Sequence, residues 1–246
     1  MSQPLIDQIY REHAVVDASG ARHELQSEID ACEGRFLREL ISARPDIVRT
    51  LEVGCAFGLS SLHITGATAG RVGAHHVIVD PNQSTVWSGI GVHNLRRAGT
   101  DAFELIEAPS ELALPRLLDE GVEPFDLIFI DGWHTFDHTL VDMFYANRLI
   151  KMGGYIVVDD CGWPSVSKAI SYFSRYPCLR VVGGSPSKNV VHRAARFVGR
   201  LIRPIAQVAF PHWLYDYVFA MVKHQEMMAF EKVSEDGRRW DWFRSF

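Results

Sequence analysis

The sequence alternates between short apolar runs and amphipathic stretches of helical length, and this alternation restricts the fold more than any other feature. Four of the first five runs are almost continuously apolar and end in an acid, which is typical of parallel strands covered on both faces. Alternating strands and helices imply βαβ units, so the sequence predicts a doubly wound, Rossmann-like α/β sheet. The runs cover residues 48–53, 75–80, 102–107, 125–131, 154–160, 178–184 and 228–233.

The alternation of predicted strands and helices indicates one domain over residues 1–246, with a core formed by 46–184 and 225–246. An N-terminal helical segment (1–45) precedes this core, and a basic helical insertion (185–224) interrupts it. The net charge of −5 gives no sign of nucleic-acid binding. Four cysteines without a CxxC pair, and no N-terminal run of signal-peptide length, indicate a cytoplasmic protein with reduced thiols.

The insertion carries six lysines and arginines against one aspartate. Read as a helix, residues 189–203 place four arginines on one narrow face and the apolar side chains on the opposite face. Three interpretations remain open. The apolar face packs on its own domain as a lid or on a second subunit as a homodimer; the helix lies on a membrane surface; or the arginines recognise an anionic substrate.

A glycine turn follows the first strand of the core, in "LEVGCAFGLSS" (51–61). Gly54 and Gly58 flank a loop at the carboxyl end of that strand, where open α/β sheets bind ligands. The GxGxxG pattern is absent, which argues against a nicotinamide-dependent oxidoreductase. Asp80 ends the next strand and is suited to hold ribose hydroxyls, although an Asp-Pro turn explains it equally simply.

Three carboxylates follow the fourth and fifth strands of the core, and the ends of adjacent parallel strands lie close together. Asp131, Asp159 and Asp160 therefore form a candidate site for Mg²⁺, which prefers oxygen ligands. The alternative is that Asp131 only positions an amino group of a bound ligand, and that Asp159 and Asp160 only cap the turn that follows. His134 lies three residues beyond Asp131 and is a candidate general base, or a loop histidine with no chemical role.

Several of these motifs together resemble the class I S-adenosylmethionine-dependent methyltransferases. The sequence is most similar to bacterial small-molecule O-methyltransferases related to the catechol, caffeoyl-coenzyme A and macrolide-sugar O-methyltransferases. The resemblance extends over about residues 30–183 and 228–233. It rests on "ACEGRFLRELI" (31–41), "LEVGCAFGLSS", Asp80, "FDLIFIDGWH" (125–134) and "LIKMGGYIVVDD" (149–160).

The resemblance implies a seven-stranded sheet whose last strand is antiparallel, with S-adenosylmethionine as the cofactor. The cofactor-binding residues it implies are Glu52, Gly54, Ala56, Ser60, Asp80, Ala108, Ser110 and Asp131, and it places Glu33 near the amino end of the cofactor. The related metal-dependent enzymes have their ligands at Asp131, Asp159 and Asp160, and the macrolide-sugar enzymes use a histidine at the spacing of His134 as the base.

The hypothesis that follows is methyl transfer from S-adenosylmethionine to a hydroxyl of a small molecule, either a sugar or a secondary metabolite. Mg²⁺ or another divalent cation assists the transfer, with His134 and Asp131 as the catalytic residues. One alternative is a metal-free O- or N-methyltransferase. Another is a membrane-peripheral binding module built on a methyltransferase fold.

Overall fold

The computed structural model describes residues 2–26, 29–185 and 226–245. The N-terminal segment holds helix α1 (Gln3–Glu12), strands β1 (Ala14–Val16) and β2 (Arg22–Glu24), and helix α2 (Ala31–Ser42). The two strands form an antiparallel hairpin, where the sequence predicted only helical structure. The turn forms because Asp17 Oδ1 accepts hydrogen bonds from the backbone N–H groups of Ser19 and Ala21.

The main sheet has seven strands in the order β5-β4-β3-β6-β7-β9-β8, and only β9 runs against the others. This confirms the predicted Rossmann-like sheet with an antiparallel last strand. The strands are β3 (Arg49–Val53), β4 (His75–Val79), β5 (Phe103–Ile106), β6 (Phe125–Ile130), β7 (Ile150–Val158), β8 (Leu179–Gly184) and β9 (Met228–Lys232).

Helices cover both faces of the sheet, so the core has two layers. One buried cluster packs α5, α6 and α7 against one face, and the other packs α1, α2, α3 and α4 against the opposite face. Because side chains alternate along a strand, Ile128 points into the first cluster and Phe129 into the second. The remaining helices are α3 (Leu59–Thr68), α4 (Ile90–Arg97), α5 (Ser110–Asp119), α6 (Phe136–Leu149) and α7 (Pro164–Phe173).

Four central strands end at the same level, and this places their C-terminal loops together. Val53 of β3 pairs in register with Val79 of β4 and with Ile130 of β6, and Ile130 pairs with Val158 of β7. The residues that follow these positions form one edge of the sheet. The crevice outside this edge is where ligands bind in open α/β sheets.

The predicted amphipathic helix of the insertion (189–203), with its lid, dimer and membrane interpretations, lies outside the described residues. Within the described ranges, no helix combines the length and the apolar character needed to cross a membrane.

Candidate active site

The glycine turn after β3 approaches the end of β6 so closely that a side chain is excluded. Gly54 has φ +85°, and a Cβ atom there would lie 2.0 Å from the backbone oxygen of Asp131. Ala56 and Gly58 also have positive φ, so the chain coils tightly before α3 begins at Leu59. The turn therefore fixes the distance between the loop after β3 and the loop after β6.

Asp80 holds this turn in place from the neighbouring strand. Its Oδ2 accepts hydrogen bonds from the backbone N–H groups of Cys55 (3.0 Å) and Ala56 (2.9 Å) and from Gln83 Nε2 (3.1 Å). Its Oδ1 accepts one hydrogen bond, from the Asn82 N–H at 2.8 Å. A carboxylate oxygen has two lone pairs, so Oδ1 retains the capacity to bind a ligand hydroxyl.

A cavity of about 1050 Å³ opens over these loops and runs from Asp80 to the ends of β6 and β7. Its volume lies at the upper end of the range for small-molecule sites, enough for a nucleoside-sized cofactor and a second ligand. At the Asp80 end its walls include Gly54, Ala56, Ser60, Trp87 and Ser110, and at the other end Asp131, His134, Asp159, Asp160, Glu33 and Glu226.

The three predicted metal ligands all line the second end of the cavity. The backbone N–H of Asp131 donates to Val53 O (2.8 Å) and that of Asp159 donates to Ile130 O (2.9 Å), so both residues continue the parallel ladders. Asp160 adopts a left-handed conformation, φ +52°, and its N–H donates to Asp159 Oδ1 at 2.8 Å. This turn directs the Asp160 carboxylate toward His134.

His134 lies between two of these carboxylates. Its Nε2 is 3.3 Å from Asp160 Oδ2 and 4.0 Å from Asp131 Oδ1. Among the described residues, these three side chains form the one group whose potential ligand atoms lie close enough together to share a metal ion. Asp159 is adjacent to this group, and one of its oxygens is occupied by the Asp160 N–H.

Negative charge is concentrated at this end of the cavity. Burial raises the pKa of Asp131 well above its ordinary value, and the charges of Asp160, Glu52 and Glu33 raise it further. Burial, followed by the charge of Asp131, raises the pKa of Asp159 in the same way. The pKa of Asp160 is also raised by burial, although His134 opposes the shift. Carboxylates in such surroundings favour either a bound proton or a bound cation.

The structure brings most of the predicted cofactor residues to the cavity. Gly54, Ala56, Ser60, Asp80, Ser110 and Asp131 all line it.

Two predicted cofactor residues are absent from the cavity lining. The Glu52 side chain is fully buried, where its Oε2 accepts hydrogen bonds from Ser61 Oγ and is 3.1 Å from His76 Nε2. Ala108 packs against the core cluster beneath α5 and α6.

Asn82, Trp87 and Glu226 are among the cavity-lining residues that the sequence did not predict. Trp87 lies on the loop before α4, which begins at Ile90, and its indole packs edge-on against Phe57. Glu226 is separated from the other cavity residues by the whole insertion. No local motif marks it, and only the pairing of β9 with β7 brings it to the site.

The fold and the site together resemble those of class I methyltransferase domains. Residues 51–161 match the family model described as a methyltransferase domain. The resemblance to S-adenosylmethionine-dependent O-methyltransferases is confirmed at this level. The match includes the glycine turn, Asp80 and all three aspartates of the cluster.

Individual relatives agree with this assignment. The chain is 29% identical to catechol O-methyltransferase B of Danio rerio over 135 residues. The alignment covers 50% of this chain and 46% of that protein. The aligned segment thus spans about half the length of this curated relative.

Solved structures show the same fold. An O-methyltransferase from Bacillus cereus in complex with SAH has a TM-score of 0.62 at 16% identity, covering 94% of this chain and 90% of that one. TomG from Streptomyces achromogenes, an O-methyltransferase involved in tomaymycin synthesis and crystallised with SAM, has a TM-score of 0.57 at 20% identity. It covers 74% of this chain and 81% of that one.

Proposed function

We propose that this protein transfers a methyl group from S-adenosylmethionine to a hydroxyl of a small molecule, a sugar or a secondary metabolite, with the help of a divalent cation. One observation carries the proposal. The Asp80-braced glycine turn and the carboxylate–histidine cluster open into the same cavity, so cofactor and acceptor can meet there. The SAM- and SAH-bound O-methyltransferases of the same fold support the choice of cofactor.

The cofactor would occupy the Asp80 end of the cavity. Asp80 Oδ1 would accept a hydrogen bond from a ribose hydroxyl, while Oδ2 keeps the glycine turn closed. Gly54 and Ala56 would lie against the methionine part, and Ser110 against the adenine. The reactive methyl group would then face the cluster of Asp131, His134 and Asp160.

The residues at the other end fit a divalent cation. Buried carboxylates without a cationic partner are costly, and the raised pKa values of Asp131 and Asp159 express that cost. Asp131, Asp159 and Asp160 would hold the cation, since hard oxygen ligands of this number suit Mg²⁺. When bound, the cation lowers the pKa of an acceptor hydroxyl that coordinates it.

His134 would act as the general base. Its Nε2 would take the proton of the acceptor hydroxyl, and the resulting imidazolium can donate a hydrogen bond to Asp160 Oδ2. When bound, S-adenosylmethionine would supply the methyl group to the deprotonated oxygen, and the electron pair of the broken carbon–sulfur bond would remain on the neutral thioether product. Holding the two reactants in line supplies much of the rate.

Calorimetric titration with S-adenosylmethionine tests the first half of the proposal. The unmodified protein should bind the cofactor, and Asp80→Asn should bind it about tenfold more weakly because one charge-assisted hydrogen bond to ribose is lost. Asp101→Asn, an exposed aspartate on the surface loop before β5, is the matched control. No binding by the unmodified protein would refute the proposed cofactor.

Measurements of turnover test the second half of the proposal, which is methyl transfer assisted by a divalent cation. Formation of S-adenosylhomocysteine should be measured with catechol and with a panel of sugars, before and after metal removal with EDTA and after Mg²⁺ is restored. Loss of activity in EDTA with recovery in Mg²⁺ is expected. Activity that EDTA leaves unchanged would remove the cation from the mechanism.

A further inference from the structure

A second, smaller cavity lies away from the active-site cavity, at the far end of α6. It has a volume of about 310 Å³ and is lined by Arg148, Tyr172, Asp236, Arg238, Arg239, Trp240 and Trp242. Arg148 lies in the last turn of α6, roughly 18 Å along the helix from Phe136, because a helix rises about 1.5 Å per residue. No described residue lines both cavities, so the two are separate.

A rigid ion pair of zero net charge forms one side of the small cavity. Arg238 Nε and Nη2 donate hydrogen bonds to the two carboxylate oxygens of Asp236, at 2.6 and 2.7 Å. The same guanidinium lies 3.3 Å from the centre of the Tyr176 ring and 4.9 Å from that of the Trp242 ring. These contacts hold the segment after β9 against α7. They also neutralise Asp236, the only acid among the described residues that line this cavity.

Arg148 supplies a charge that is held in place but not neutralised. Its guanidinium lies 3.5 Å from the centre of the Phe144 ring, and its Nη1 donates to Phe144 O at 2.9 Å. Its Nε and Nη2 groups form no hydrogen bond with any residue that the structure describes. A guanidinium fixed in this way can bind an anion with little further loss of side-chain freedom.

Arg239 supplies the second charge. It pairs with Asp241 at 3.3 Å, and 77% of its side chain is exposed. Exposed ion pairs contribute little to stability, so a ligand can replace Asp241 as the partner of this guanidinium. Arg148 and Arg239 together therefore offer about two positive charges on one side of the cavity.

Trp240 adds an apolar surface beside these charges. It lines the cavity while 94% of its surface remains exposed. A planar ring that stacks on the indole would bury apolar surface on both partners. The volume of the cavity lies at the lower end of the range for small-molecule sites, which suits one anionic group and one ring.

We propose that this cavity binds a soluble phosphate monoester that carries a planar ring. A phosphate monoester carries about 1.5 to 2 negative charges near neutral pH, which matches the charge of Arg148 and Arg239. The guanidinium forks of these arginines would bind the phosphate oxygens, and Trp240 would stack on the ring. The site does not depend on the proposed methyl transfer.

Three anions titrated calorimetrically into the full chain at pH 8 provide the test. Phenyl phosphate should bind with a dissociation constant below about 1 mM. Inorganic phosphate lacks the ring and should bind about tenfold more weakly, because the stacking contribution is lost. Benzoate has the ring but a single charge, and it should also bind about tenfold more weakly than phenyl phosphate.

Substitutions separate the contributions of the arginines from that of the indole. Arg148→Ala and Arg239→Ala should each weaken phenyl phosphate by about tenfold or more. Trp240→Ala should lower the affinity for phenyl phosphate to that for inorganic phosphate and leave the latter unchanged. Arg239 and Trp240 are exposed, so these two variants should fold even if Arg148→Ala does not. Arg22→Ala removes another exposed, ion-paired arginine and should change no affinity.

The same phosphate group also occurs on lipids, and flotation with vesicles distinguishes this source. The protein should not float with phosphatidylcholine vesicles that contain phosphatidic acid. Flotation that depends on Arg239, without binding of phenyl phosphate, would overturn the proposal in favour of a lipid surface. Phenyl phosphate that does not bind, or that binds Arg239→Ala and Trp240→Ala as tightly as the unmodified protein, would refute the site.

Discussion

Asp142 is a buried carboxyl group whose ionisation lowers the stability of the whole fold. It lies on α6 with 1% of its surface exposed, and its Oδ1 has no hydrogen-bond partner within the described ranges. Burial raises its pKa from 3.8 to about 6, although a hydrogen bond with Ser110 opposes the shift. The folded state therefore holds this proton more tightly than the unfolded chain does, and stability falls as the pH rises from about 4 to above 6.

Asp142→Asn should stabilise the protein at pH 8 by about 2 kcal/mol, because the amide carries no charge to bury. The gain should disappear below pH 4, where the native carboxyl is protonated in both states. Urea unfolding at several pH values measures this difference. Asp119→Asn at the exposed end of α5 is the control, and a gain at pH 8 that persists unchanged at pH 4 would contradict the explanation.

Substitution of His134 can show whether this residue acts as the proposed general base or as a metal ligand. His134→Ala should lower kcat by about 100-fold or more, with Mg²⁺ affinity nearly unchanged. His75→Ala, at the opposite end of the sheet, should change neither. A large loss of Mg²⁺ affinity in His134→Ala would instead assign the imidazole to the metal, as its position between Asp131 and Asp160 also permits.

At the scale of elements, the strands were predictable and the side-chain directions at their ends were not. The run predicted at 125–131 forms β6 (Phe125–Ile130), because only a fully covered strand accommodates so continuous an apolar sequence. Glu52 was assigned to the cofactor by resemblance, yet its side chain is bonded to His76 and Ser61 inside the fold. The pairing partners of a polar side chain within a strand depend on neighbours that a single segment does not reveal.

Substitutions at glycines can measure how much the close contact between the turn after β3 and the end of β6 contributes to stability. Gly54 and Gly70 both have positive φ, but a Cβ atom would meet Asp131 only at Gly54, and at Gly70 nothing lies within 4 Å. Gly70→Ala should lower the free energy of unfolding by about 1 kcal/mol, the cost of the left-handed backbone. Gly54→Ala should cost ~2 kcal/mol more and weaken cofactor binding. Equal losses in thermal unfolding would show that the close approach to β6 carries no energetic weight.

At the scale of the whole molecule, the proposed metal site predicts that Mg²⁺ stabilises the folded state. A cation bound only by the folded state stabilises it by about 2.7 kcal/mol at 100 times its dissociation constant. Mg²⁺ should therefore raise the melting temperature of the unmodified protein at pH 8. Asp160→Asn should remove most of that increase, yet raise the melting temperature without metal, because one of the mutually repelling charges is gone. An identical Mg²⁺ response in both proteins would contradict this coupling.

At the junction between β8 and β9, two hydrogen bonds hold together the parts of the chain on either side of residues 186–225. Ser185 donates its N–H to Met227 O at 3.2 Å, and the Met227 N–H donates to Ser185 Oγ at 3.0 Å. The described residues on either side of 186–225 are thus hydrogen-bonded neighbours, directly beside the cavity-lining Glu226. Because the closure cost of a loop grows only slowly with its length, evolution can lengthen, shorten or replace this segment while the sheet keeps its register.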